Sequence, residues 1–194
     1  AAALLNMGRI RGIERPGIAC PVPVDKGEAI LLDVGANVDC RPQHLIQFAS
    51  MGRTYMQRVR GIADPAIGLL NIGSEGLKGN DLTVKVYGLL EQSGWNFVGN
   101  IEGRDVFSGR ANVMVCDGFV GNVVLKTAEG LATMLFDTMK KEFALSRVAQ
   151  FGALLARPAF QRVKRRLDYT EYGGAPLLGV DGVVIVCHGS SDAI

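Results

Sequence analysis

Five times along this chain a short apolar run ends in a turn built of glycine and polar residues, and no other feature limits the fold as tightly. Runs of strand length with continuous apolar character suit strands buried on both faces of a largely parallel sheet. The candidates are Ile18–Pro21, Ile30–Val34, Ala66–Ile72, Asn96–Val98, Asn112–Cys116 and Gly182–Cys187. Helical spacing appears between them. Gln43–Val59 places Leu45, Ile46, Ala49, Tyr55, Met56 and Val59 along one stripe, with Asp39 as its expected cap and Pro42 in its first turn. Asp81–Gln92 follows Asn80, a good cap, and Asn122–Leu145 is the longest helical pattern. Strand–helix alternation of this kind predicts one α/β domain over residues 1–194, three-layered and Rossmann-like, with a mostly parallel, doubly wound sheet.

Composition agrees. A chain of 194 residues fits one domain at roughly 100–200 residues each. Its 48% hydrophobic content excludes a disordered chain. Its longest uninterrupted apolar runs fall short of the ~20 residues of a membrane span. Cys20, Cys40, Cys116 and Cys187 are far apart, with only His44 and His188 to supplement them, so no metal site is expected. Buried, reduced thiols of a cytoplasmic protein are the simpler reading. Cys116 and Cys187 share a Val-x-Val-Cys pattern and are both expected in the core. The opening Ala1-Ala2-Ala3-Leu4-Leu5-Asn6-Met7 reads as a helix entered midway, and Ser191-Asp192-Ala193-Ile194 as one just beginning. A fragment of a longer chain is the expectation.

Charge is uneven. The net charge is +2, yet residues 140–167 carry eight basic side chains against Glu142 alone, a local +7 that leaves −5 elsewhere. Apolar Val148, Phe151, Leu154, Leu155, Phe160 and Val163 are interleaved with them. Pro158 is expected to break this stretch into two short amphipathic helices, a basic helical hairpin. Two readings of it stand together: packing on its own domain or a second subunit, and docking to an acidic protein or an anionic membrane. Nucleic acid is a poor partner, because the basic residues lack an aromatic stacking platform.

In open α/β sheets, ligands bind beyond the carboxyl ends of the strands. Those ends read Asp33-Val34-Gly35-Ala36-Asn37, Asn71 through Asn80, Gly99-Asn100-Ile101-Glu102-Gly103-Arg104-Asp105, Asp117-Gly118-Phe119-Val120-Gly121-Asn122 and His188-Gly189-Ser190-Ser191-Asp192. Glycine admits close backbone approach, and helix N-termini offer free N–H groups to anions. A phosphate or carboxylate site is therefore favoured over plain tight loops. Ordinary nucleotide signatures are missing: no Gly-x-Gly-x-x-Gly, and Gly73–Lys78 lacks the P-loop spacing. No Gly-x-Ser-x-Gly elbow supplies a nucleophile. Cys187 and His188 are neighbours on a strand and would face opposite ways. His188, at a strand end before a new helix, suits an oxyanion or phosphate contact. Lys78, Arg104 and Lys126 are the nearby cations, each able to pair instead with Glu75, Glu102 or Asp105. Asp33, Asp117 and Asn122 either orient groups or cap helices.

Taken in order, these turns, together with Leu31-Leu32-Asp33-Val34-Gly35-Ala36-Asn37, Gly68-Leu69-Leu70-Asn71-Ile72-Gly73 and Tyr172-Gly173-Gly174-Ala175-Pro176-Leu177-Leu178-Gly179, closely resemble the PlsX family, the bacterial phosphate acyltransferases of phospholipid synthesis. The resemblance runs over nearly the whole chain. It implies transfer of a fatty acyl group from acyl carrier protein to inorganic phosphate, the acyl phosphate passing to a membrane glycerol-3-phosphate acyltransferase. It also implies a homodimer, a fold akin to phosphotransacetylases and isopropylmalate dehydrogenases, no cofactor or metal, and work at the inner membrane face without spanning it. Relative to the family, an N-terminal strand with an Asp-Ala-Met-Gly-Gly-Asp turn and a Ser-Ala-Gly-Asn-Thr-Gly-Ala turn before Ala3 are absent, and both are expected to line the site.

Phosphate is its own nucleophile, so a protein serving it needs only to hold an anion beside a thioester and stabilise the oxyanion. By position, His188, Asn122, Asp117 and Lys78 are the candidate catalytic residues. Ser190, Gly189, Gly121, Asn37, Asn100 and Arg104 are candidates for phosphate. Arg157, Arg162, Lys164, Arg165 and Arg166 are candidates for docking a carrier or membrane. A phosphotransacetylase using acyl-coenzyme A and a non-catalytic docking module are the competing readings.

Overall fold

The computed structural model describes residues 2–25, 27–167 and 174–187. A short helix α1 (Ala2–Met7) precedes β1 (Gly17–Val22) and β2 (Ala29–Leu32). Then come α2 (Pro42–Arg58), β3 (Ile67–Leu70), α3 (Asp81–Glu91) and β4 (Phe97–Ile101). β5 (Val113–Val115), α4 (Gly118–Ala144), α5 (Arg147–Leu167), β6 (Ala175–Leu178) and β7 (Ile185–Val186) complete the described order. The sheet order is β4-β3-β5-β2-β1-β6-β7. Its first four strands pair in parallel. β1, β6 and β7 are added antiparallel. The expected α/β architecture is present, with its parallel part confined to one half of the sheet.

Alternation along each parallel strand builds two cores. Ile30, Leu32, Ile67, Leu69, Val113 and Val115 meet Leu45, Phe48 and Met56 of α2 and Val86 and Leu90 of α3 on one face. Leu31, Leu70, Ile101, Met114 and Cys116 face the other way, towards Val124 and Leu125 of α4. Successive side chains on a strand point to opposite faces, so a four-residue apolar run can serve both layers. Each fully buried Leu, Ile or Phe stabilises the fold by about 1.5–3 kcal/mol.

Helix starts follow the side chains that can satisfy them. Asn80 Oδ1 accepts from Thr83 N at 2.9 Å, capping α3 as expected. Asp117 Oδ1 accepts from Val120 N at 2.8 Å, so α4 begins at Gly118, four residues before the predicted Asn122. Asp39 does not cap α2. Pro42 occupies the first helical position, which makes Arg41 the cap, and the Arg41 N–H donates to His44 Nδ1 at 3.1 Å.

Three further expectations are corrected. α5 runs unbroken through Pro158, so the basic segment is not two short helices. Proline removes one intrahelical bond and crowds the preceding turn, but the Phe143 and Phe160 rings meet edge-on at 5.5 Å and tie the helix beyond it to the end of α4. The hairpin is therefore α4 and α5, joined at Leu145 and Ser146. The strand expected over Gly182–Cys187 shrinks to an exposed two-residue β7, and Cys187 is exposed rather than in the core. Finally, β6 went unforeseen because Pro176 counts against a strand, yet Ala175–Leu178 pairs on both sides.

Candidate active site at the carboxyl edge of the parallel strands

The turn after β2 is organised by one carboxylate. Asp33 is fully buried. Its Oδ1 accepts from Ile18 N at 2.9 Å, Ala36 N at 3.1 Å and Gly35 N at 3.3 Å. Its Oδ2 accepts from Asn37 N at 2.7 Å and Asn37 Nδ2 at 2.9 Å. Asn37 Nδ2 also donates to Pro16 O at 2.7 Å. The start of α4 locks onto this turn, with Gly118 N donating to Asn37 O at 2.7 Å. At Gly121 only a missing side chain allows the contact: a Cβ there would overlap the Asp33 carbonyl oxygen. Asn37 and Gly121 thus join β2 to α4, with Asn122 exposed beside Gly35 and Asp117 half-buried at the helix cap.

Beside it lies the longer turn of residues 71–80, between β3 and α3. Asn71 Nδ2 donates to Lys78 O at 2.9 Å. The Glu75 carbonyl accepts from Lys78 N at 3.0 Å and from Asn100 Nδ2 at 2.7 Å. Asn100 is fully buried at the end of β4, and its Oδ1 has no partner among the described residues. Lys78, Ile72 and Leu77 project into solvent from this tied backbone. The turn after β4 is a single 3-10 turn, where Arg104 pairs with Glu102 at 3.0 Å and Arg110 with Asp105 at 3.9 Å. Lys126 pairs with Glu129 at 2.8 Å, away from the turns.

The structure therefore brings Asn37, Asp117, Gly121 and Asn122 into one cluster at the β2 and β5 ends. Lys78 and Asn100 meet in a second cluster at β3 and β4. Arg104 stands on the rim. His188, Gly189 and Ser190 lie outside the described residues. Of the docking candidates, Arg157, Arg162 and Arg165 are exposed on α5, and the side chains of Lys164 and Arg166 lie outside what is described.

Cys40, expected as a buried thiol, is half-buried, and its place beside the β2 turn, with Sγ 3.5 Å from Asn37 O, was not foreseen from the sequence. Burial, then the Asp117 and Asp33 carboxylates, push its thiol up to about 11. Cys116 is raised well above its ordinary value, first by burial and then by the same two carboxylates. Burial, then Glu129, raise Cys20 to about 11. These thiols stay protonated at neutral pH, and a protonated thiol is a poor nucleophile. Among the described residues no group of three His, Cys, Asp or Glu is arranged to hold a metal. One pocket of about 250 Å³ opens at the opposite sheet edge, between Pro21, Glu28, Met56 and Arg60.

The half-parallel sheet, covered on both faces and with its polar turns gathered at one edge, is similar in fold to solved phosphotransacetylases. Solved structures of phosphotransacetylases from Staphylococcus aureus and Streptococcus pyogenes superpose with TM-scores of 0.53 and 0.52, at 19% and 18% identity. Each covers 68% of this chain and 46% of the solved one, and the likeness is one of fold. The chain belongs to the fatty acid synthesis protein family, whose pattern it matches over residues 1–194. Relatives named phosphate acyltransferase from Pelotomaculum thermopropionicum and Heliobacterium modesticaldum are each 58% identical over 193 residues, and one from Moorella thermoacetica is 54% identical. Each alignment takes in all of this chain but only 56–58% of the relative's length.

Proposed function

We propose that this chain forms part of a phosphate acyltransferase that moves a long-chain fatty acyl group from acyl-carrier-protein thioester to inorganic phosphate. The observation that carries the proposal is 58% identity over 193 residues, spanning the whole of this chain, with relatives bearing that name. The chemistry asks little of the protein. A phosphate oxygen attacks the thioester carbonyl, a C–O bond forms and the C–S bond breaks. The proton of hydrogen phosphate ends on the departing carrier thiol, leaving acyl phosphate.

Rate then comes from placing an anion against a carbonyl and from donors aimed at the oxyanion. Thiols held protonated and turns held by buried amides suit that division of labour. In this reading His188, Ser190 and Asn122 contact phosphate or the oxyanion, Lys78 and Arg104 supply positive charge, and Asp117 orients a donor.

The α4–α5 hairpin has a separate role in the proposal. α4 is long and apolar enough on average to cross a membrane, with 6% of its most apolar window buried. That average conceals a division: Val124 and Leu125 pack on the sheet, whereas Leu131, Met134 and Leu135 are exposed. Phe151, Leu154 and Leu155 of α5 are exposed as well. Apolar and basic groups side by side suit an acidic carrier, a second copy of the chain, or the anionic inner face of a membrane. A cytoplasmic enzyme making peripheral contact there could hand its product to a membrane glycerol-3-phosphate acyltransferase.

The test is phosphate-dependent formation of acyl phosphate from palmitoyl-carrier protein by the complete gene product, trapped with hydroxylamine. Palmitoyl-coenzyme A runs in parallel to distinguish a phosphotransacetylase. Failure of the folded protein to form acyl phosphate from either donor would refute the proposal.

A further inference from the structure

The pairing between β3 and β4 contains an irregularity with a visible effect. Ile67 pairs with Phe97, but Leu69 pairs with Asn100, so β4 spends one residue more than β3 over the same length. Gly99, at φ +85°, lies within this bulge. In a regular strand residues 97 and 100 would face opposite ways. With the extra residue they share a face, and Asn100 points in beneath the turn of residues 71–80. Bulges re-aim side chains in this manner.

Asn100 is an odd choice for packing. It is fully buried beside Leu69 and Ile101, and its Oδ1 has no partner among the described residues. A buried acceptor without a protein partner is a cost that an apolar side chain would remove. Its amide N–H is used, however, on the Glu75 carbonyl at 2.7 Å, and that same carbonyl accepts Lys78 N at 3.0 Å. The other side of Lys78 is held by Asn71, whose Nδ2 donates to Lys78 O at 2.9 Å. Asn71, just past β3, thus holds the Lys78 C=O directly, while Asn100 of β4 holds the Glu75 carbonyl to which the Lys78 N–H donates. The lysine side chain is left free to point into solvent at the edge where α/β sheets bind ligands.

We infer that Asn100, turned inward by the Gly99 bulge, is a positioning residue that fixes the 71–80 turn so that Lys78 faces an inorganic phosphate. The inference rests on the phosphate-using reading above.

Three variants of the complete gene product test it. Asn100→Asp replaces the donor facing Glu75 O with an acceptor. Gly99→Val forbids the left-handed backbone, whereas Gly99→Asn tolerates it. A Cβ at Gly99 would meet nothing within 4 Å, so these two differ in backbone preference rather than in clash. Asn100→Asp and Gly99→Val should each raise the KM for phosphate about tenfold or more. The KM for acyl-carrier protein should stay within about twofold. Amide exchange across residues 73–79 should quicken about tenfold or more, with β2 and β5 unchanged. Gly99→Asn should remain close to wild type in every readout.

The inference is overturned if the turn and the phosphate KM are unmoved in either damaging variant, or if both KM values rise together with exchange throughout the sheet. It also falls if Gly99→Asn is as harmful as Gly99→Val. Should Asn100→Asp not fold, the Gly99 pair decides alone. A wild-type protein that makes no acyl phosphate sinks the acyltransferase reading instead, and the exchange data still decide whether Asn100 holds the turn.

Discussion

Replacing Asp33 with asparagine changes one atom and should cost the fold a large share of its stability. Five N–H groups converge on the carboxylate, three on Oδ1 and two on Oδ2. An amide can keep its oxygen on only one side. Facing it the better way preserves three bonds and sets an NH2 group against the two donors of Asn37. Hydrogen bonds to a charged group contribute about 1.5–3 kcal/mol each. Losing two therefore costs about 3–6 kcal/mol, against a total of about 5–15 for a typical domain.

Urea unfolding of Asp33→Asn, followed by circular dichroism, is the assay. At a slope near ~2 kcal/mol per molar urea, the midpoint should fall by about 1.5–3 M. Asp117→Asn is the control. Asp117 Oδ1 takes a single helix N–H, and asparagine caps as well as aspartate, so only the charge at the helix end is lost, about 0.3–1 kcal/mol. If Asp33→Asn moved the midpoint no further than Asp117→Asn, the view of Asp33 as the organiser of its turn would be wrong.

Other outcomes follow from the same geometry. Gly121→Ala, whose methyl would overlap the Asp33 carbonyl oxygen, should destabilise by about 3 kcal/mol or more, seen as a lowered Tm. Cys187 is exposed and should react with iodoacetamide first. With its thiol held near 11, Cys40 should be about 0.1% thiolate at pH 8, and its labelling rate should climb about tenfold per pH unit up to pH 10. Reversing the charges of Arg162, Lys164, Arg165 and Arg166 should weaken binding to acyl carrier protein or anionic vesicles at low salt, and sedimentation with vesicles reads the loss. His44 bridges the Arg41 N–H and the Glu14 carboxylate, at 3.1 Å each. His44→Leu removes the acceptor of the Arg41 N–H and should cost about 0.5–1.5 kcal/mol by thermal melting.

The parallel strands and their helices were legible because local signals agreed with one another. Ile30–Leu32 and Val113–Cys116 are continuous apolar runs, and Asn80 stands where a cap belongs. Where two signals competed, the stronger constraint won. Pro42 fixed the helix start and overrode Asp39, whereas Pro158 was overridden by packing between Phe143 and Phe160. β6 and the bulge in β4 were not legible, because each depends on a partner strand distant in sequence. At the site, residue type foretold that Asn37, Asn100 and Gly121 would gather at the strand ends. It did not foretell that the amides of Asn37 and Asn100 would be turned onto the protein's own backbone, since an asparagine reads the same whether its partner is a carbonyl or a ligand.

The two-sided layering has a mechanical consequence. α2 and α3 cover one face of the parallel strands along their length, but on the other face the residues of α4 packed into the core are Val124 and Leu125. Beyond these contacts α4 runs on to Ala144, where it meets α5, like a beam clamped at one end. A load applied at the tip of such a beam reaches the clamp as torque, and the clamp here is Gly118 and Gly121 seated against Asn37 and Asp33. Whatever leans on the far end of the hairpin thus has a lever ending at the turns proposed above to hold phosphate.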